Sequence, residues 1–107
     1  MLAEIYEIKC DYEKALMYID LAIRCNIEEQ ASVNSSFLYY TRARIYDKIF
    51  SEDTQREGAK LYAQNAVADY ETAINIGRLS QITERLANQR KAILKKHLPE
   101  IAMHIAP

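Results

Sequence analysis

The chain has 107 residues, about half of them apolar, and a formal net charge of −1. This length suits one domain, residues 1–107, with a modest core. The two Gly and two Pro are too few for turn-rich β architectures, and the near-neutral charge lacks the basic footprint of a nucleic-acid-binding domain. The composition therefore predicts a single all-α domain.

The sequence carries none of the common targeting signals. Residues 1–8 contain two Glu and no basic residue, unlike a secretory signal peptide, and no apolar run approaches the ~18 residues of a membrane span. Cys10 and Cys25 are too few and too far apart for a disulfide framework or a CxxC pair. We therefore expect a cytoplasmic protein in a reducing setting, with no membrane partner.

Helical spacing of apolar residues indicates the first two helices. Leu2, Ile5, Tyr6 and Ile8 predict a short first helix that ends near Lys9. Asp11 can cap a second helix, whose apolar stripe begins at Tyr12 and which ends at Asn26. The polar residues 27–36 are predicted to form a loop or a frayed helix start.

Three further helices follow. The third runs from Phe37 to about Ile49, and the polar residues 51–58 form an exposed connection. Thr54 and Glu57 have the spacing of a capping box, so the fourth helix is predicted to start there and to end before Gly77. Ser80 can cap a fifth helix over 80–98 that Pro99 stops. Its apolar side is predicted to contain Ile82, Leu86, Ile93 and Leu94.

Two patterns of small and bulky residues recur in the same order. Ala3-x-x-Tyr6 recurs at Ala43-x-x-Tyr46, and Ala15-x-x-x-Ile19-x-x-Ala22 recurs at Ala66-x-x-x-Tyr70-x-x-Ala73. Alanine at a helix crossing lets two backbones approach, and a ring one turn later fills the gap beside it. The repetition predicts two similar helical hairpins.

This repeat, with its Asp11-Tyr12 turn, resembles the tetratricopeptide repeat (TPR) family over residues 2–77. The resemblance implies antiparallel helix hairpins stacked as a short solenoid, with a first unit at 2–26 and a second at 37–77 that has an insertion near 51–58. Residues 80–98 would form a C-terminal capping helix, followed by a tail at 99–107. Another helical-hairpin solenoid or a plain bundle is the alternative.

The chain departs from the TPR pattern in three places. Cys10 stands where Gly is usual, so the first turn is expected to be strained, and Ile27 replaces a Pro that often closes the unit. The first helix lacks most of two turns. The chain is therefore predicted to be a C-terminal portion of a longer TPR array, although a repeat that is simply short is the alternative.

No residue set indicates catalysis, a metal site or a cofactor. Cys10 and Cys25 lie far from His97 and His104 in sequence, and no GxxxxGK, GxGxxG or HExxH motif occurs. The acid pairs Glu28-Glu29 and Glu52-Asp53 are interpreted as solvated charges. The bases of the fifth helix are interpreted as a solvated outer face, with a docking patch for an acidic partner or nucleic acid as alternatives: Arg85, Arg90, Lys91, Lys95 and Lys96.

The TPR resemblance implies a non-catalytic module that binds a peptide or partner protein on the concave face formed by the first helices. It places eight residues on that face: Glu4, Glu7, Ile8, Phe37, Tyr40, Arg44, Asp47 and Lys48. The family's clamp for chaperone tails is absent, because Tyr40 and Arg44 occupy the places of its Lys and Asn. An ordinary amphipathic surface is the alternative for these residues.

A second function class is a structural or self-associating end of a larger TPR regulator. The exposed start of the first hairpin and the tail at 99–107 are both apolar, so each is expected to be buried against another surface. Two copies that cover these surfaces mutually would form a homo-oligomer.

Overall fold

The computed structural model describes residues 2–29, 35–55 and 57–98. Five helices follow one another in these ranges: α1 Leu2–Ile8, α2 Tyr12–Glu29, α3 Ser35–Glu52, α4 Ala59–Ile76 and α5 Gln81–Lys95. No strand occurs among the described residues, so the predicted all-α class is confirmed. Pro99 and the predicted tail at 99–107 lie outside them, but α5 already ends at Lys95, before its predicted end at Leu98.

The register of side-chain contacts gives the direction of each helix. Between α2 and α3, Tyr12 Oη donates to Glu52 Oε1 at 2.7 Å, and Asp20 Oδ1 lies 3.0 Å from Arg42 Nη1. As the residue number rises along α2 it falls along α3, so these helices are antiparallel. The same holds for α3 and α4, where Arg42 meets Asp69 and the Tyr46 ring meets the Tyr62 ring.

Helices α1 and α5 both run parallel to α3. On one side, Arg44 lies near Glu4 and Lys48 near Glu7, so residue numbers rise together. Arg90 of α5 contacts Asp47, and His97, two residues after the end of α5, packs edge-on against Phe50. Helices α1, α3 and α5 therefore point one way, while α2 and α4 point the other way.

Helix α3 is the centre of the packing because it contributes to two buried clusters. One cluster joins α3 to α1 and α2 and comprises Ala3, Ala15, Ile19, Ile23, Leu38, Ile45 and Ile49. The other joins α3 to α4 and α5 and comprises Ala43, Phe50, Ala59, Ala63, Ala66, Val67, Tyr70, Ala87 and Leu94. A helix buried by two neighbouring layers leaves only a narrow face for solvent or a ligand.

Five of the six alanines in the repeated patterns are fully buried, namely Ala3, Ala15, Ala43, Ala66 and Ala73, and Ala22 is partly buried. The tyrosine three residues after Ala3 or Ala43 packs against the helix that follows it: Tyr6 stacks on Tyr18 with centroids 5.4 Å apart, and Tyr46 lies 6.1 Å from Tyr62. Small residues therefore set the close helix approach, and rings fill the space beside it.

The turn between α1 and α2 is strained at Cys10, as expected. Cys10 has a φ of 60°, in the left-handed region that costs a residue with a Cβ about 1–2 kcal/mol. The predicted cap is also confirmed, because Lys14 N–H donates to Asp11 Oδ1 at 3.3 Å. The chain thus reverses direction in three residues, 9–11.

Several predicted helix ends are wrong. Helix α2 continues past its predicted end at Asn26 to Glu29, and α3 runs past Ile49 to Glu52. The start of α3 at Ser35 agrees with the alternative of a helix start within 27–36. Helix α4 starts at Ala59 rather than at the Thr54–Glu57 capping box. Gly58 precedes it with a left-handed φ of 77°, and Ala59 is the first buried residue after the exposed connection. Tertiary burial therefore sets this start, because the capping box has no apolar face to hold it.

Helix α5 begins as predicted, with Ser80 Oγ accepting from Thr83 N–H at 3.2 Å. The predicted Gly after α4 is also confirmed, since Gly77 has a φ of 83°. The predicted apolar side is wrong: Leu94 is buried, but Ile82, Leu86 and Ile93 are exposed. The helix packs instead through Ala87 and Leu94, which lie two turns apart on another face.

Candidate partner-binding groove

A groove of about 360 Å³ lies where α3 meets α5. Its α3 wall comprises Tyr40, Arg44, Asp47, Lys48 and Ser51, its α5 wall comprises Leu86 and Arg90, and Tyr70 of α4 completes the lining. Four of the eight residues predicted for the concave face therefore line one groove. They do so because residues four apart on α3 share a face that α2 and α4 leave uncovered.

Glu7 is buried beside this groove and bound by two cations of α3. Its carboxylate is 2% exposed and accepts from Arg44 Nε at 2.6 Å and from Arg44 Nη2 at 2.7 Å, while Lys48 Nζ lies 2.9 Å away. Burial raises the pKa of Glu7, but the hydrogen bonds and charges of Arg44 and Lys48 outweigh it, so the net pKa is lowered. Glu7 is thus a structural ion-pair partner.

Asp47 is the second buried carboxylate and joins three helices. It is 6% exposed and accepts from Tyr70 Oη of α4 at 2.9 Å and from Ser51 Oγ of α3 at 3.1 Å. Arg90 of α5 donates to it twice, through Nε at 2.8 Å and Nη2 at 2.7 Å. Burial first, and the charge of Asp47 second, raise the pKa of Tyr70, so its hydroxyl stays a donor.

Aromatic rings and charged heads lie together in the groove. The Tyr40 ring packs against the Tyr70 ring with centroids 5.8 Å apart, and the guanidinium carbon of Arg44 lies 5.6 Å from the Tyr40 ring centroid. This is within cation–π range. The groove therefore offers an aromatic surface with cations next to it.

The other four predicted residues lie outside the groove lining. The Glu4 carboxylate lies 3.8 Å from Arg44, which lines the groove. The Glu7 carboxylate is paired with Arg44 and Lys48, which also lines the groove. Ile8 is 79% exposed at the end of α1, and Phe37 is half-buried one turn before Tyr40. The predicted residues thus lie on α1 and α3, and the acids among them, Glu4, Glu7 and Asp47, form ion pairs within the chain.

The sequence interpretation missed the contribution of α5. Arg90 was assigned to a solvated outer face, yet it is held by Asp47, while Lys91 and Lys95 lie 3.9 and 3.1 Å from Glu71 of α4. A signal was available: Glu7 and Asp47 lie four residues after Ala3 and Ala43, at the same position of the repeat. An acid repeated at that position indicates a basic residue on the next parallel helix.

The opposite side of α3 has its own ion-pair cluster. Arg42 donates to Asp69 of α4 through Nε at 2.7 Å and Nη2 at 2.9 Å, and to Asp20 of α2 through Nη1 at 3.0 Å. Burial raises the pKa of Asp69, more than Arg42 lowers it. In this cluster one guanidinium binds two carboxylates, and these contacts connect α2, α3 and α4.

The two cysteines and the membrane question complete the description of the surface. Cys10 and Cys25 are exposed, and no group of three or more His, Cys, Asp or Glu among the described residues could hold a metal ion. No helix in the described ranges combines the length and apolar character needed to cross a membrane.

Comparison of the chain with protein-family models, with curated proteins and with solved structures found no match.

Proposed function

We propose that the chain is a non-catalytic protein-interaction module that binds a peptide or a segment of a partner protein in the groove between α3 and α5. The observation that carries this proposal is the groove lining itself. Tyr40, Leu86 and Arg90 offer an aromatic ring, an exposed aliphatic side chain and a guanidinium side by side. Aromatic and Arg side chains with an apolar neighbour are typical of surfaces that bind proteins.

We further propose a TPR-like arrangement of the helices. It is supported by the parallel course of α1, α3 and α5 and by the buried alanines at repeated positions. A second support is the repeated ion pair, in which Glu7 of α1 binds Arg44 of α3 and Asp47 of α3 binds Arg90 of α5. Repeated contacts between successive units are what a stacked helical repeat produces.

Leu86 provides the clearest test of the groove, because it lines the groove without supporting the core. It is 46% exposed, whereas Ile82 of the same helix is 71% exposed and lies outside the groove. Peptides selected on the immobilised chain from a random display library should bind Leu86→Ser at least about tenfold more weakly, since one buried aliphatic contact contributes ~1–3 kcal/mol. The matched control Ile82→Ser should bind as the wild type does.

The measurement is fluorescence anisotropy with the selected peptides, with circular dichroism to check that each variant is folded. Equal affinity of Leu86→Ser and wild type, or equal loss in Ile82→Ser, would rule out this groove as the binding surface. Arg44→Ala is a poor test of binding, because Arg44 also holds the buried carboxylate of Glu7.

A specific contrast favours self-association as a second candidate function. Ile45, two residues after Ala43, is fully buried against the α1 and α2 side, whereas Ile5, two residues after Ala3, is 46% exposed. Leu2 on the same short helix is 51% exposed. A hydrophobic position that is covered in one unit and open in the other is a surface that a second copy could cover.

If this surface mediates self-association, sedimentation velocity should show a mass that rises with protein concentration, and Ile5→Ser should shift it towards the monomer. Ile27→Ser is the matched control, because Ile27 of α2 is also exposed, at 62%. A monomer at all concentrations would exclude this second function while leaving the groove untouched.

A further inference from the structure

We propose that the groove between α3 and α5 selects a partner segment in which an acidic side chain lies next to an apolar one. This inference rests on the proposed binding function of the groove and names the chemistry of its partner. It follows from which hydrogen-bonding groups the fold has already used and which remain.

The acceptors around the groove are occupied by the protein itself. The two oxygens of Asp47 receive four hydrogen bonds, one from Ser51, one from Tyr70 and two from Arg90. Both oxygens of Glu7 are bound by Arg44, and Lys48 lies within 2.9 Å of one of them. A ligand that brings hydrogen-bond donors would therefore find these carboxylates saturated and buried.

The donors, in contrast, exceed the acceptors. A guanidinium has five N–H groups and an ammonium has three. Arg44 and Arg90 each use Nε and Nη2 on a buried carboxylate, and within the described chain neither has an acceptor at Nη1. The side chains of Arg44, Lys48 and Arg90 remain 30%, 44% and 38% exposed.

A carboxylate is the ligand group that fits unused N–H donors best, because charge-assisted hydrogen bonds are about twice as strong as neutral ones. The charges of Arg44, Lys48 and Arg90 are offset by Glu4, Glu7 and Asp47, so the attraction acts at short range. The near-zero net charge of this ion-pair cluster also disfavours a phosphate backbone, which needs several neutralising bases.

The apolar lining of the groove indicates that the partner segment also carries an apolar side chain. The rings of Tyr40 and Tyr70 and the exposed side chain of Leu86 lie beside the cations. A segment that buries an aliphatic side chain there brings a neighbouring carboxylate to the unused N–H groups. The carboxylate is assigned to a side chain, because neighbouring residues of one segment can then make the apolar contact and the acidic contact.

The test uses synthetic peptides that repeat the unit Gly-Glu-Leu-Ser, with acetylated and amidated ends so that only side chains carry charge. This Glu-Leu peptide is compared with three matched peptides. In the Gln-Leu and Lys-Leu peptides Glu is replaced by Gln or by Lys, and in the Glu-Ser peptide Leu is replaced by Ser. Titration calorimetry on the full chain should show the Glu-Leu peptide binding about tenfold more tightly than the Gln-Leu peptide and the Glu-Ser peptide. The Lys-Leu peptide should bind most weakly.

Two variants connect this selectivity to the groove. Lys48→Gln removes one cation but leaves Glu7 held by both nitrogens of Arg44, so the fold should persist. It should weaken the Glu-Leu peptide about threefold to tenfold and leave the Gln-Leu peptide unchanged. Arg85→Gln, which removes an exposed cation of α5 outside the groove, is the control and should change neither.

Glu4 gives a test in the opposite direction. Its carboxylate lies 3.8 Å from Arg44 and competes with a ligand for this guanidinium. Glu4→Gln should therefore strengthen binding of the Glu-Leu peptide by about twofold to fivefold, which is the scale of one exposed charge. A purely structural role of Glu4 would not produce a gain in affinity.

Equal affinity for the Glu-Leu and Gln-Leu peptides, with both weakened by Leu86→Ser, would overturn this inference while the proposed binding function stands. No binding of the Glu-Leu peptide at millimolar concentration would also overturn it, since the proposed function is judged separately by the peptides from the display selection. A loss that is equal in Lys48→Gln and Arg85→Gln would place the acidic contact outside the groove.

Discussion

Asp47→Ala should lower the free energy of unfolding by about 3 kcal/mol, among the largest effects expected of any single polar substitution in this chain. The reason is that one buried carboxylate serves three helices. Its loss leaves the buried Tyr70 hydroxyl without its acceptor and Arg90 without its partner. A domain of this size is stable by only ~5–15 kcal/mol, so the change should be plain in a urea titration followed by circular dichroism.

Two further variants separate the contributions to this effect. Tyr70→Phe removes a single donor to Asp47 and should cost only about 1 kcal/mol. Glu13→Ala removes an exposed acid of α2 and should stay within about 0.5 kcal/mol. If Asp47→Ala costs no more than Glu13→Ala, the carboxylate does not hold α3, α4 and α5 together.

The local features of this fold were predictable from the sequence because they depend on near neighbours. The cap at Asp11, the cap at Ser80 and the left-handed Gly77 each follow from residues within one turn. The buried alanines followed from a spacing that recurs, because two alanines on one helical face mark a close crossing. Tyr40, Arg44 and Asp47 could be placed on one stripe by the helical period alone.

The ion pairs and the α5 face could not be predicted in this way, because they depend on the register between helices. Arg90 and Asp47 are 43 residues apart, and Arg44 and Glu7 are 37 apart. A helical period says only that a base lies on a given face of its own helix. Which helix covers that face is decided by packing, and Leu94 rather than its neighbour Ile93, about 100° away around the helix, lies in the core.

Arg44→Ala should lower the free energy of unfolding by about 2–3 kcal/mol near pH 7, because it leaves the Glu7 carboxylate buried with Lys48 as its remaining cation. Lys48→Ala should cost less than about 1 kcal/mol, since Arg44 keeps both of its hydrogen bonds to Glu7. Chemical denaturation of the three proteins in one buffer gives this order directly.

The cost of Arg44→Ala should also depend on pH, and the sign follows from Glu7. In the wild type the pKa of Glu7 is lowered below its ordinary value of 4.5, so the ion pair contributes fully above that value and is lost as pH falls through the folded-state pKa. Without Arg44, burial raises the pKa of Glu7, so Glu7 becomes protonated in the variant as pH falls. Protonation removes the free-energy cost of burying its charge. The difference in stability between wild type and Arg44→Ala should therefore shrink from pH 7 towards about pH 4. A difference that stays constant over this range would mean that Arg44 stabilises the fold through its contact with the Tyr40 ring and not through Glu7.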